Sequence, residues 1–251
     1  MSNIYSKTPL NTNEIPQIDL DITNKFRSNP LKWNGQFSPQ LVQVLLKNYA
    51  TSNSVLFDPF LGSGTVLLEA GFSRIPAYGT EINPAAIVLA QTYEFVNVPI
   101  DQRRHHLDEV FHHLQIFQNF EWGANGSHDP EYIKSKLTEF PLLVNERLQH
   151  QLLETLIALL DFHKSGLSEK KVFTVWNKLK KHILELPFSQ QPIELFHSDA
   201  RQTPLTDSSV NLVITSPPYI NVFNYHQQYR ASMEALNWDL LRIARSEFGS
   251  R

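Results

Sequence analysis

The feature that most constrains the fold is Asp58-Pro59-Phe60-Leu61-Gly62-Ser63-Gly64-Thr65. It follows a short apolar run, Ser54–Phe57, and opens a second apolar run, Val66 to about Phe72. Two glycines straddling a serine let a backbone turn sharply and approach a ligand. A second short strand, Ala77–Glu81, comes next, and Asn83-Pro84 then announces a helix from Ala85 to about Phe95. Strand, glycine-rich turn, helix, strand, helix is the opening of a doubly wound α/β fold with a parallel sheet. Upstream, Ser38-Pro39 and the spacing of Leu41, Val42, Leu45 and Leu46 predict an amphipathic helix over 39–50.

The sheet pattern resumes late in the chain. Ile193–Phe196 and Val210–Ile214 read as two further strands, giving about four in all, and a last helix is expected over 226–246. Between the two blocks lie helical segments at about 101–118, 141–163 and 168–186, interrupted by Gly123-Ala124-Asn125-Gly126. The division that follows is an arm over 1–30, a discontinuous α/β domain over 31–100 and 188–251, and a helical insertion over 101–187. Lys170, Lys171, Lys178, Lys180 and Lys181 on the last insertion helix read as a solvated face. His105-His106 and His112-His113 read as exposed helix residues, because they match no ligand spacing. No metal site is expected.

Composition narrows the chemistry. The chain has no cysteine, so disulfides, thiolate metal sites and a cysteine nucleophile are excluded. That usage fits a reducing cytoplasm. No apolar stretch is long enough to span a bilayer, so no membrane association is expected. The net charge of −3 gives little general attraction for a nucleic acid backbone.

Three acidic or polar positions stand where such folds bind ligands, beyond the carboxyl ends of the strands. Glu81 ends the second strand and can accept hydrogen bonds from ribose hydroxyls. Asp199 follows the third strand and can accept from an adenine amine. Thr215-Ser216-Pro217-Pro218-Tyr219 ends the fourth. Paired prolines stop a strand and stiffen the chain. The Ser216 hydroxyl and the Pro217 carbonyl can accept both protons of an exocyclic amine, and Tyr219 can stack on the base that carries it.

Together these residues resemble the amino-group DNA methyltransferases, which methylate cytosine N4 or adenine N6. Asp58, Pro59, Phe60, Gly62, Gly64 and Thr65 are similar to that family's cofactor motif, Glu81 to its ribose-binding acid, and Asp199 to its adenine-contacting position. Ser216, Pro217, Pro218 and Tyr219 resemble its catalytic tetrapeptide. Phe37-Ser38-Pro39 resembles the segment that covers the methionine end of the cofactor. The resemblance spans about 30–95 and 193–245 and leaves out the arm and the insertion.

It implies a Rossmann-like S-adenosylmethionine methyltransferase sheet, incomplete here, with S-adenosylmethionine as cofactor and a flipped DNA base as substrate. Serine at position 216 favours cytosine N4 over adenine N6. Such enzymes continue past the tetrapeptide with further strands and a target-recognition region. The expectation is therefore a front portion or one subunit of a split enzyme, with a partner chain or self-association completing the sheet. A restriction-modification setting fits this reading. Two alternatives are an RNA guanine-N2 methyltransferase, which has Asp at the position of Ser216, and a cofactor-binding subunit without activity of its own.

Overall fold

The computed structural model describes residues 14–23, 25, 27–118, 129–163, 166–219 and 222–245. The Gly123–Gly126 interruption lies outside the described residues. Four strands, β1 (Leu56–Asp58), β2 (Ala77–Glu81), β3 (Ile193–His197) and β4 (Leu212–Val213), form one sheet in the order β3-β2-β1-β4. All three pairings are parallel; Asp58 lies opposite Gly79, Glu81 opposite His197, and Leu56 opposite Leu212. The chain winds outward from β1 through β2 to β3, then crosses back to place β4 on the other side of β1. The carboxyl end of β1 is thus a topological switch point, where open α/β sheets hold their ligands.

The helices are α1 (Gln17–Leu20), α2 (Pro39–Tyr49), α3 (Thr65–Ser73), α4 (Pro84–Ala90), α5 (Ile100–Leu114), α6 (Pro130–Leu143), α7 (Arg147–Leu160), α8 (Glu169–Glu185), α9 (Arg230–Ala235) and α10 (Leu240–Ala244). α2 begins at the expected cap, with Ser38 Oγ accepting the Leu41 N–H (3.5 Å). Asn83 Oδ1 accepts the N–H groups of Ala85 (3.0 Å) and Ala86 (3.4 Å) at the start of α4. α3 and α4 are buried almost throughout, which matches their lack of a polar face.

Several expected boundaries shift. β4 keeps only two residues of the apolar run Val210–Ile214. Asn211 replaces the start of the ladder with its side chain, its Oδ1 accepting the Val55 N–H (2.8 Å) and its Nδ2 donating to the Asn53 carbonyl (2.9 Å). Prolines 217 and 218 end the other side. The expected helix after Asn83 stops at Ala90 and tightens into a 3₁₀ turn over Gln91–Asn97. The expected single helix over 226–246 is two short helices, and residue 246 lies outside the described residues. Tyr229 and Asn237 both take left-handed backbone angles (φ 61° and 63°), which helices do not propagate. Asp239 Oδ1 then accepts the Arg242 N–H (3.0 Å) and starts α10.

In the middle of the chain, α6 was not expected and occupies 130–143, while α7 covers only part of 141–163. The signal for α6 was present: Asp129-Pro130 is a cap followed by proline at the first helical position, and Asp129 Oδ1 accepts the Glu131 N–H (3.4 Å). Trp176, Leu152, Leu156 and Leu137 are buried among the middle helices. Thr155 Oγ1 on α7 donates to the Val88 carbonyl of α4 (2.8 Å), so this layer is fastened to the sheet domain. Arg103 of α5 is buried and donates to the carbonyls of Val98 (2.7 Å), Ile183 (3.1 Å), Leu186 (2.6 Å) and Pro187 (2.7 Å). It ties the start of the helical region to the segment that leads back into β3.

The described residues among 14–30 are not simply extended. They contain the one-turn α1, and Arg27 reaches the fully buried Glu69 of α3 while lying 3.8 Å above the Phe72 ring. Of the histidines, His105 and His112 are exposed as expected, whereas His106 and His113 are half-buried. Lys170, Lys178 and Lys181 are exposed, and Lys171 and Lys180 partly so. Among the described residues no helix is long and apolar enough to cross a membrane.

Candidate functional site

A cleft partly open to solvent lies over the carboxyl ends of β1 and β2. Its floor is the turn that leaves β1. Asp58 there is 2% exposed. Its Oδ1 takes a hydrogen bond from Thr215 Oγ1 (2.6 Å) and another from the Phe60 N–H (3.1 Å). Burial pushes the Asp58 carboxyl up to about 7, with the neighbouring charge of Glu81 adding to the rise, while the two hydrogen bonds pull the other way.

The turn itself is held from β2. Leu61 N–H donates to the Thr80 carbonyl (3.0 Å), and Thr80 Oγ1 donates to the Pro59 carbonyl (2.9 Å). Gly64 carries φ 91°, and a Cβ there would stand 2.5 Å from the Tyr93 ring. Its glycine is therefore required by backbone angle and packing.

Glu81 closes the turn from the other side. One carboxylate oxygen accepts the Gly62 N–H (2.7 Å), and the other accepts those of Ile82 (2.9 Å) and Asn83 (2.8 Å). These charge-assisted bonds fix the carboxylate at the rim of the cleft.

Asp199 lines the same cleft from the loop after β3. Its carboxylate is gripped by Arg201, whose Nε donates to Oδ1 (2.9 Å) and whose Nη2 donates to Oδ2, and the Arg201 N–H adds a third bond (2.9 Å). Arg201 holds Asp199 down at about 2. This pairing has no signal in the sequence, since the two residues are adjacent but one in a loop.

Ser216 and Pro218 face the cleft, as do Phe37, Pro59, Phe60 and Thr65. Three expected site residues stand off it. Gly64 packs on Tyr93, Pro217 is exposed, and Tyr219 lies outward, 49% exposed, with its ring edge-on to Phe223 (6.1 Å between centroids). Tyr219 N–H donates to Tyr225 Oη (3.3 Å).

Sequence reasoning missed the segment that roofs the cleft. Trp33, Gly35 and Gln36 line it together with Phe37. Gln36 Nε2 donates to Ser63 Oγ and to the Leu31 carbonyl, while Asn29 Oδ1 accepts from Thr65 Oγ1 (3.1 Å) and Asn29 Nδ2 donates to the Phe37 carbonyl (2.8 Å). The aromatic and amide residues of Trp33–Phe37 were the available signal, placed just before a capped helix. Among the described residues no group of three or more His, Cys, Asp or Glu is set to hold a metal.

A family model described as DNA methylase, of the N6/N4 type, matches residues 3–92. Over that span the chain is similar to the amino-group DNA methylases. Among curated proteins it is similar to the Type II methyltransferase M.BsoBI of Geobacillus stearothermophilus, 22% identical over 88% of this chain and 54% of that protein. It is also similar to the Type II methyltransferase M.MjaII of Methanocaldococcus jannaschii, 36% identical over 24% of this chain and 11% of that protein. The chain thus spans about half the length of the first of these methyltransferases and a ninth of the second. No solved structure matches. The methylase match takes in the arm, which the motif resemblance had left out, together with the glycine-rich turn and Glu81. Asp199 and Ser216–Tyr219 fall beyond it.

Proposed function

We propose that this chain binds S-adenosylmethionine in the cleft and delivers its methyl group to an exocyclic amine of a DNA base, cytosine N4, as part of a restriction-modification system. The observation that carries the reading is the convergence in one cleft of Asp58, Glu81 and Asp199 with Ser216 and Pro218 from the strand-ending tetrapeptide. The donor set suits the cofactor: an acid at the rim for ribose hydroxyls, a buried acid on the floor, and apolar walls from Trp33, Phe37, Phe60 and Ile82. When bound, that cofactor supplies an electrophilic methyl group on a sulfonium.

The protein's own part is orientation. Ser216 and the Pro217 carbonyl draw the two amine hydrogens, which turns the nitrogen lone pair out of ring conjugation. Tyr219 stacks on the extruded base. Such positioning raises the rate without a strong base. Serine at 216 is what favours cytosine over adenine.

β4 pairs with β1 alone among the described residues, and Val213 on it is 54% exposed. An open apolar strand edge favours a covering strand; in this reading a partner chain or a second copy provides it.

The test is methyl transfer from labelled S-adenosylmethionine to duplex DNA and, in parallel, to RNA, followed by nucleoside mass spectrometry, for wild type and Ser216→Ala. N4-methylcytosine that is lost in the variant is expected. N6-methyladenine would overturn the base assignment, and modified guanine in RNA would overturn the choice of polymer.

A further inference from the structure

Residues 29–37 bond to two different parts of the site, from near their ends to one and from their middle to the other. One foot rests on the glycine-rich turn, through Gln36 to Ser63 and Asn29 to Thr65. The other foot rests on the chain that follows the tetrapeptide. Gln228 Oε1 accepts the Asn34 N–H (3.1 Å), and Gln228 Nε2 donates to the Lys32 carbonyl (3.1 Å). Tyr229 Oη donates to the same carbonyl (2.9 Å). Trp33 stacks on Tyr225 with 5.9 Å between centroids and 22° between planes. Tyr225 in turn takes the Tyr219 N–H. Gly35 sits against this group: a Cβ on it would stand 3.0 Å from Tyr225 Oη and 3.2 Å from the Tyr219 ring.

We infer that residues 29–37 form a strap that couples occupancy of the cofactor cleft to the placement of Tyr219, with Gln228 and Tyr229 as positioning residues. The inference rests on the proposed function for the identity of the cleft's occupant. Trp33 and Gly35 face the cleft and touch the Tyr219–Tyr225 group at the same time. A ligand that settles against Trp33 therefore fixes the stack on Tyr225 and, through it, the backbone N–H of Tyr219. Gln228 and Tyr229 do not line the cleft. Their side-chain hydrogen bonds to Lys32 and Asn34 join them to the strap, so they act on the cleft without lining it. Coupling of this kind is reciprocal, so loosening the second foot weakens ligand binding at the first.

The experiment uses the full chain with S-adenosylhomocysteine as the probe. Calorimetry gives its affinity, and hydrogen exchange gives the protection of Tyr219 and residues 222–229 with and without it. In wild type, the probe is expected to slow exchange in that segment. In Gln228→Ala with Tyr229→Phe, the affinity is expected to fall about fivefold to tenfold, within the usual range of coupling energies, and the added protection to vanish. Gln228→Glu keeps the acceptor for the Asn34 N–H and loses the donor to Lys32. An intermediate effect is expected from it, and it replaces the double variant if that variant does not fold. Unchanged affinity with protection retained in the folded variants would overturn the coupling and leave the cofactor reading intact. A folded wild type that does not bind the probe would overturn the cofactor reading and the inference with it.

Discussion

Asp58 shows how far a residue's chemistry departs from its type. In the unfolded chain its carboxyl ionises near 3.8, and in the fold near 7. Between those values the folded state holds a proton that the unfolded state has lost. This group's contribution to stability is thus greatest below about pH 4, falls as pH rises through the window, and levels above about 7. The shift corresponds to at most about 4 kcal/mol. Asp58→Asn keeps the acceptor for Thr215 and removes the titration. Urea unfolding at pH 4.5 and 7.5 should show a smaller loss in the variant than in wild type; equal losses would mean that Asp58 ionises normally. A cationic ligand on the cleft floor favours the ionised form, so S-adenosylmethionine binding at pH 6 should release protons in wild type and fewer in Asp58→Asn, as read by calorimetry in two buffers of different ionisation enthalpy.

Gly64 makes the complementary point at the same scale. The sequence marks it as one of two equivalent glycines of a ligand turn. Its backbone angle and the Tyr93 ring make it a packing residue. Gly64→Ala is expected to cost about 3 kcal/mol through backbone strain and overpacking together. A melting temperature within one degree of wild type would contradict this.

Among elements, those with strong local signals were legible. α2 begins at Ser38-Pro39, β2 runs from Ala77 to Glu81, and α8 from Glu169, each as the sequence pattern indicates, because caps and short-range periodicity act within a few residues. β4 and the 226–246 helix were not. Their limits depend on Asn211 reaching Val55 and Asn53, and on left-handed turns at Tyr229 and Asn237, which no local pattern encodes. Arg103 belongs to this scale too. It satisfies the carbonyl of Val98 ahead of α5 and those of Ile183, Leu186 and Pro187 at the end of α8, a role invisible in the charged stretch Asp101–Arg104. Arg103→Met leaves those acceptors buried without a donor and is expected to cost about 3 kcal/mol. A chemical denaturation midpoint equal to wild type would count against the role.

For the whole molecule, the sheet order places the cleft. The winding direction reverses at β1, and the reversal opens a crevice that Glu81 enters from β2 and Ser216 from the end of β4. The net charge of −3 predicts weak attachment to DNA by this chain alone. At physiological salt, fluorescence anisotropy with a labelled duplex is expected to give a Kd weaker than about 1 μM, the tight limit of ordinary non-specific binding. Nanomolar binding would show a basic surface that the net charge hides.

The amino-acid sequence by itself determined the fold class and picked out most of the candidate residues that come to line the cleft. Glycine-rich turn, strand-ending acid and proline pair are short-range signals whose order implies a parallel sheet. Only the tertiary structure decided the rest: that Arg201 holds the Asp199 carboxylate, that Tyr219 stands outside the cofactor cleft, and that residues 29–37 roof that cleft and bond to Gln228. The first is a pairing within one loop and the last depends on contacts between positions as many as 196 residues apart, made when the sheet closes its order; neither leaves a periodic mark on the chain.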